Sequence, residues 1–155
     1  KKEINLSDEE LKEYASNNHD VFISYSRKDQ ETAFELIESL KSWGIKAWID
    51  KNGIFSSTNF KDMIEKAIEN TQAVIFLSSE NSNQSEYCKK EIGYATQLKK
   101  PILPILLDTA PFGEGMRMDF SNIDYVDYRN YEEGQRKLRM SLDYILGTHP
   151  KAGCH

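Results

Sequence analysis

The chain has 155 residues, enough for one domain with a buried core, and its hydrophobic (39%) and charged (29%) fractions are ordinary for a globular protein. A formal charge of -5, with basic and acidic residues interleaved, argues against a nucleic-acid partner, and no apolar run is long enough to cross a membrane. Because Cys88 and Cys154 provide neither a metal-binding spacing nor a disulfide framework, we expect no metal site and a reduced, cytoplasmic setting.

Hydrophobic periodicity predicts alternating strands and helices after residue 18. Residues 1–18 contain a capping box at 7–10, and we expect them to form a linker or N-terminal helix that comes from a longer protein. The C-terminal residues 148–155 are expected to be a frayed tail. The predicted elements are a strand at 20–25, a helix at 33–40, a strand at 45–49, a turn at 50–53, a helix at 60–68, a strand at 73–77, a helix at 87–98, strands at 101–107 and 123–128, and a helix at 138–146.

Strands that are almost continuously apolar, alternating with amphipathic helices, indicate a parallel sheet covered on both faces. The number of strands matches a flavodoxin-like, doubly wound α/β fold with a five-stranded parallel sheet and helices on both faces. Pro104 is discordant, because proline removes a ladder hydrogen bond, so we expect it at a bulge or beside a short neighbouring strand. Phospho-receiver domains share this fold class, but the adjacent acidic pair expected after their first strand is replaced here by residues 24–26.

The segment at 85–91 contains the strongest functional signal. Helical spacing places Glu91 between Tyr87 and Tyr94 at the rim of a helix that follows a buried strand, where open α/β sheets bind ligands. A carboxylate flanked by aromatic rings suits a nucleotide or glycosidic substrate, whereas the structural alternative is a solvated glutamate paired with nearby lysines. The adjacent face of the helix is predicted to be core, so Cys88 is expected to be packed there rather than to act as a nucleophile.

Taken in order, several segments resemble motifs of the TIR (Toll/interleukin-1 receptor) domain family, of the bacterial and plant-like, NAD+-cleaving type. The resemblance covers about residues 20–130, and we assign 19–147 to a TIR domain. The matching segments are the opening strand at 19–26, the second strand at 44–50, the serine-rich loop and helix start at 79–91, and the fourth strand at 100–105.

The resemblance implies two modes of action, enzymatic cleavage of NAD+ and non-enzymatic scaffolding. Catalytic members cleave the nicotinamide–ribose bond, and some cyclise the product into an isomer of cyclic ADP-ribose. Their essential glutamate corresponds to Glu91, so the leading hypothesis is an NAD+ glycohydrolase activated by self-association, in bacterial immune or NAD-depletion signalling. NAD+ is then the substrate and no cofactor is required. The alternative is an adaptor that works only through contacts between TIR domains.

Cleaving this bond needs no general acid, because the leaving group is already cationic, and one carboxylate can stabilise the oxocarbenium-like transition state. We expect aromatic stacking and polar contacts to hold the substrate, although each side chain also has a structural explanation as a core cap, a loop brace or a helix cap. The candidate substrate-binding residues are Tyr25, Ser26, Arg27, Asp50, Phe60, Ser82 and Tyr87.

The loop after the second strand is the candidate self-association loop, through Gly53, Ile54 and Phe55. Family members often have a Pro-Gly pair in this loop, which this chain lacks.

Overall fold

The computed structural model describes residues 19–49, 61–114, 116, 120 and 124–147. The candidate residues Asp50, Gly53, Ile54, Phe55 and Phe60 lie outside these ranges, as do the predicted linker at 1–18 and tail at 148–155. The elements are β1 (His19–Ser24), α1 (Gln30–Ser42), β2 (Ala47–Trp48), α2 (Lys61–Glu69), β3 (Thr71–Ser78), α3 (Glu86–Gln97), β4 (Ile102–Leu106), β5 (Val126–Asp127) and α4 (Tyr131–Leu146), with single 3-10 turns at Arg27–Asp29 and Ser82–Gln84.

The five strands form one parallel sheet in the order β2-β1-β3-β4-β5. This arrangement confirms the predicted flavodoxin-like fold. The order reverses between β1 and β3, since β2 lies on one side of β1 and every later strand lies on the other. In open α/β sheets, the crevice at such a reversal, beyond the carboxyl ends of the strands, is the usual position of a ligand.

Both faces of the sheet are buried, which explains why the strands are almost continuously apolar. On one face, Phe22 stacks on Trp48 at a centroid distance of 5.1 Å, and this layer packs beneath α2 and α3. On the other face, alternate residues such as Ile23 and Ile75 pack against α1 and α4. Alternation along β1 therefore determines which helix pair each side chain meets.

The central strands have almost the predicted bounds, whereas the edge strands are shorter. β2 and β5 each contain only two residues. An edge strand has a hydrogen-bonding neighbour on one side only, so its length depends on how many of its residues pair with that neighbour. Hydrophobic periodicity along the sequence carries no information about this pairing.

Pro104 lies beside the short edge strand β5, which is one of the two positions expected for it. The backbone N–H of Tyr128 donates to the carbonyl oxygen of Leu106. The backbone N–H and C=O groups of the even-numbered residues of β4 therefore point toward β5. Pairing with β5 begins only at Ile105. The missing N–H of Pro104 therefore points to a part of the sheet edge where β5 forms no ladder.

Candidate functional site

The helix α3 places Glu91 at the reversal of strand order. Ser85 is the N-cap of α3, and its hydroxyl accepts a hydrogen bond from the backbone N–H of Cys88 at 3.2 Å. Glu91 lies in the second turn, where its Oε1 accepts a hydrogen bond of 2.7 Å from the hydroxyl of Ser24, the last residue of β1. A half-buried carboxylate therefore lies at the carboxyl end of β1.

The two predicted faces of α3 are confirmed. Cys88, Ile92 and Ala95 are buried in the core, whereas Tyr87 is 49% exposed at the rim. Tyr94 donates to Glu69 of α2 at 2.5 Å, and this hydrogen bond raises the pKa of Tyr94 to about 12. Of the two tyrosines that flank Glu91 along the helix, one thus braces α3 against α2.

A groove of about 350 Å³ lies between α2 and α3, and Glu91 is one of its lining residues. Its walls are mostly apolar and aromatic, and the charged groups Glu65, Lys90 and Glu91 are distributed along it. Such a surface can hold a flat ring beside a carboxylate. The remaining lining residues are Ile64, Ile68, Tyr87, Gly93, Tyr94 and Gln97.

Burial of the Cys88 thiol, and next the negative charge of Glu91, raise its pKa to about 12. The thiol therefore stays protonated near neutral pH, and this supports the predicted packing role. Within the described ranges, no group of three or more histidine, cysteine, aspartate or glutamate residues could hold a metal ion. No helix among the described residues has the length and apolar character needed to cross a membrane.

The loop after β3 encloses the candidate residue Ser82. Its side chain is fully buried, its hydroxyl donates to the Leu77 carbonyl at 2.6 Å, and it accepts from the backbone N–H of Ser79 at 2.8 Å. Ser82 therefore shapes the loop, which is the structural alternative stated above, and its contact with a substrate stays a prediction. The neighbouring Ser79 hydroxyl donates to Asp29 at 2.5 Å, which ties the loop after β3 to the loop after β1.

A second set of contacts ties the loop after β4 to the loop after β3. The Asn83 side-chain amide donates to the hydroxyl of Ser78 and to the carbonyl of Ser79, both at 2.9 Å, and its oxygen accepts from the backbone N–H of Gly113 at 3.0 Å. A Cβ on Gly113 would lie only 2.2 Å from the backbone carbonyl oxygen of Asn83. The approach of the two loops thus requires glycine at this position.

The remaining candidates lie on the loop after β1. Tyr25 is half-buried and packs against the core layer of α1 and α4, on the opposite side of the sheet from α3. The Ser26 hydroxyl accepts from the backbone N–H of Lys28 at 3.2 Å and so caps the 3-10 turn, and Arg27 is exposed. For Tyr25 and Ser26 the structure therefore shows structural roles, whereas Arg27 is accessible to a ligand.

The sequence analysis did not identify two residues that shape this region, Ser24 and Gly113. Ser24 ends an apolar strand as a small polar residue that becomes fully buried, a signal that could have marked it. Gly113 has no local signal, because the need for glycine arises from a loop 30 residues away.

The family model described as "TIR domain" matches residues 21–139. A Cytobacillus dafuensis protein named as a putative cyclic ADP-D-ribose synthase is 29% identical over 118 residues, which cover 67% of this chain and 31% of that protein. The TMV resistance protein N of Nicotiana glutinosa is 31% identical over 136 residues, covering 81% of this chain and 12% of that protein. The chain thus spans less than a third of the length of these curated relatives.

Among solved structures, the TIR domain of the Toll-related receptor TRR-2 from Hydra magnipapillata superposes with a TM-score of 0.67. It is 23% identical, and the match covers 81% of this chain and 98% of that one. At this identity the match supports the fold. Because the family model spans well over half of the 155 residues, the chain belongs to the TIR domain family.

Proposed function

We propose that this domain is an NAD+ glycohydrolase that cleaves the nicotinamide–ribose bond, with Glu91 as its catalytic residue. The observation that carries the proposal is the 2.7 Å hydrogen bond from Ser24, which holds the Glu91 carboxylate at the reversal of strand order. A glutamate that served only solubility would have no need of a buried partner in β1.

The reaction breaks the bond between ribose C1′ and the pyridinium nitrogen, and the bonding electron pair neutralises the ring as nicotinamide leaves. Positive charge then develops on the ribose. At about 4 Å and an effective dielectric constant of about 20, a carboxylate stabilises a unit positive charge by about 4 kcal/mol. This corresponds to roughly a thousandfold in rate, since each tenfold is about 1.4 kcal/mol.

The groove beside Glu91 supplies a surface for a planar ring, and Tyr87 at its rim is the proposed stacking partner. Asp50 and Phe60, which lie outside the described residues, remain proposed substrate-binding residues, and Arg27 is proposed to pair with a phosphate. The name of the bacterial relative favours a cyclic product. Cyclisation and hydrolysis differ only in the nucleophile that attacks C1′. In cyclisation it is a nitrogen or a hydroxyl group of the adenosine half of the same molecule, and in hydrolysis it is water; an attacking hydroxyl group or water molecule loses a proton.

We also propose that activity requires self-association through the loop containing Gly53, Ile54 and Phe55, and that the output is immune signalling. The name of the plant relative, a resistance protein, supports an immune role. A dilute, monomeric domain would then be weakly active. Activity should therefore rise more steeply than linearly with protein concentration.

The test is release of nicotinamide from NAD+ by concentrated protein, or by protein crowded onto a scaffold, resolved by liquid chromatography and mass spectrometry. Glu91→Gln retains an oxygen that can accept from Ser24 but removes the charge, so we expect at least about a hundredfold loss of turnover. Glu86→Gln is the matched control on the same helix, because Glu86 is exposed and, among the described residues, forms an ion pair only with Lys89, at 3.7 Å. Its effect should be under about twofold.

Three outcomes separate the hypotheses. If nicotinamide release is lost in Glu91→Gln but not in Glu86→Gln, the enzymatic function is supported. The second product then distinguishes a hydrolase from a cyclase. Turnover that persists in Glu91→Gln would show that the site assignment is wrong. If the unsubstituted protein releases no nicotinamide under strongly associating conditions, the domain acts as an adaptor through TIR–TIR contacts.

A further inference from the structure

The hydroxyl of Ser24 is the buried partner of the Glu91 carboxylate. Ser24 is fully buried at the end of β1, so its hydroxyl cannot meet a substrate. It donates to Glu91 Oε1 at 2.7 Å across 67 residues of sequence. Ser24 therefore does not bind the substrate itself, and its route to the reacting atoms is the hydrogen bond to Glu91.

The chemistry of the carboxylate determines the direction of this hydrogen bond. A carboxylate has only acceptor oxygens, whereas the Ser24 hydroxyl carries one proton that it can donate. The single hydroxyl proton of Ser24 is therefore directed to Glu91.

We propose that Ser24 is a positioning residue that holds the Glu91 carboxylate in its catalytic orientation, an inference that rests on the proposed function. A glutamate side chain has several rotatable bonds, and ordering it costs rotamer entropy. The buried donor orders Glu91 before the substrate arrives. A misplacement of about 1 Å in such a group can lower the rate about a hundredfold.

Ser78 provides a matched control. It ends β3 as Ser24 ends the neighbouring strand β1, and it is similarly buried. Its hydroxyl accepts from the Asn83 amide at 2.9 Å and takes part in the loop contacts described above. Truncating Ser78 therefore removes a buried hydroxyl at the same edge of the sheet without removing the donor to Glu91.

The experiment measures nicotinamide release, kcat and KM together with thermal stability for the unsubstituted protein and for Ser24→Ala, Ser24→Thr and Ser78→Ala. We expect Ser24→Ala to lower kcat roughly 10- to 100-fold, the range for a hydrogen bond to a charged group, with KM changed by less than about twofold. Ser24→Thr retains the hydroxyl and should restore most of the rate. Ser78→Ala should lower Tm while changing kcat by less than about threefold.

The inference is overturned if Ser24→Ala turns over normally, or if both alanine variants lose kcat in proportion to their loss of stability. An inactive unsubstituted protein would instead refute the proposed function. In that case, crystal structures of the two alanine variants test the positioning role independently of any activity measurement. Glu91 should leave its place beside β1 in Ser24→Ala and keep it in Ser78→Ala, and an unmoved Glu91 in both would overturn the inference.

Discussion

Replacing Gly113 with alanine should destabilise the domain much more than an alanine substitution usually does. The added Cβ would meet the Asn83 carbonyl oxygen at 2.2 Å and the terminal methyl group of Met116 at 3.1 Å. The first of these is a backbone atom, which cannot rotate away. Relieving the contact therefore requires the loop after β4 to separate from the loop after β3.

The cost of this separation has two parts. Overpacking of a buried site costs about 1–3 kcal/mol, and loss of the 3.0 Å hydrogen bond between Gly113 and the Asn83 side chain leaves buried polar groups unpaired, for about 1–3 kcal/mol more. The sum, about 2–6 kcal/mol, is a large fraction of the 5–15 kcal/mol that is typical of a folded domain. At about 2–4 °C per kcal/mol, Tm should fall by at least about 4 °C.

Gly93→Ala is the matched control. Gly93 lies on the exposed side of α3, and a Cβ there would meet no atom within 4 Å. Because alanine is favoured over glycine in a helix by about 0.5–1 kcal/mol, Tm should rise by about 1–4 °C. Thermal unfolding followed by circular dichroism gives both values. If the two variants shift Tm in the same direction, the close approach of the two loops inferred here is wrong.

Two further predictions follow from altered pKa values. Because burial raises the pKa of Cys88 to about 12, a Cys154→Ser variant should react with a thiol reagent at pH 8 only as fast as it unfolds, and rapid labelling of the native protein would contradict the burial of this thiol. Hydrogen bonds from Arg129 lower the pKa of Asp127 from 3.8 to about 2, so the stabilisation from this pair is present above pH 4 or so and is lost as the pH falls towards 2. NMR titration of Arg129→Ala should show the Asp127 pKa returning close to 3.8, and an unchanged pKa would exclude Arg129 as the cause.

Local periodicity was sufficient to predict the class of fold and the two faces of α3. Buried parallel strands are apolar on both sides, and helices that cover them repeat apolar residues at a spacing of three and four, so burial leaves its pattern in consecutive residues. The core position of Cys88 and the rim position of Tyr87 followed from that spacing. The proposed catalytic residue Glu91 was likewise identified from its place at the start of a helix after a buried strand.

Tertiary structure alone decided what Glu91 touches and how the surrounding loops are held. Its partner Ser24 is 67 residues away, and Ser79 meets Asp29 across 50 residues. These contacts exist because β1 and β3 are neighbours in the sheet although another strand separates them in sequence. Sheet order brings residues together independently of their local pattern, so the elements and their faces follow from the sequence, whereas the hydrogen bonds that position the carboxylate follow only from the fold.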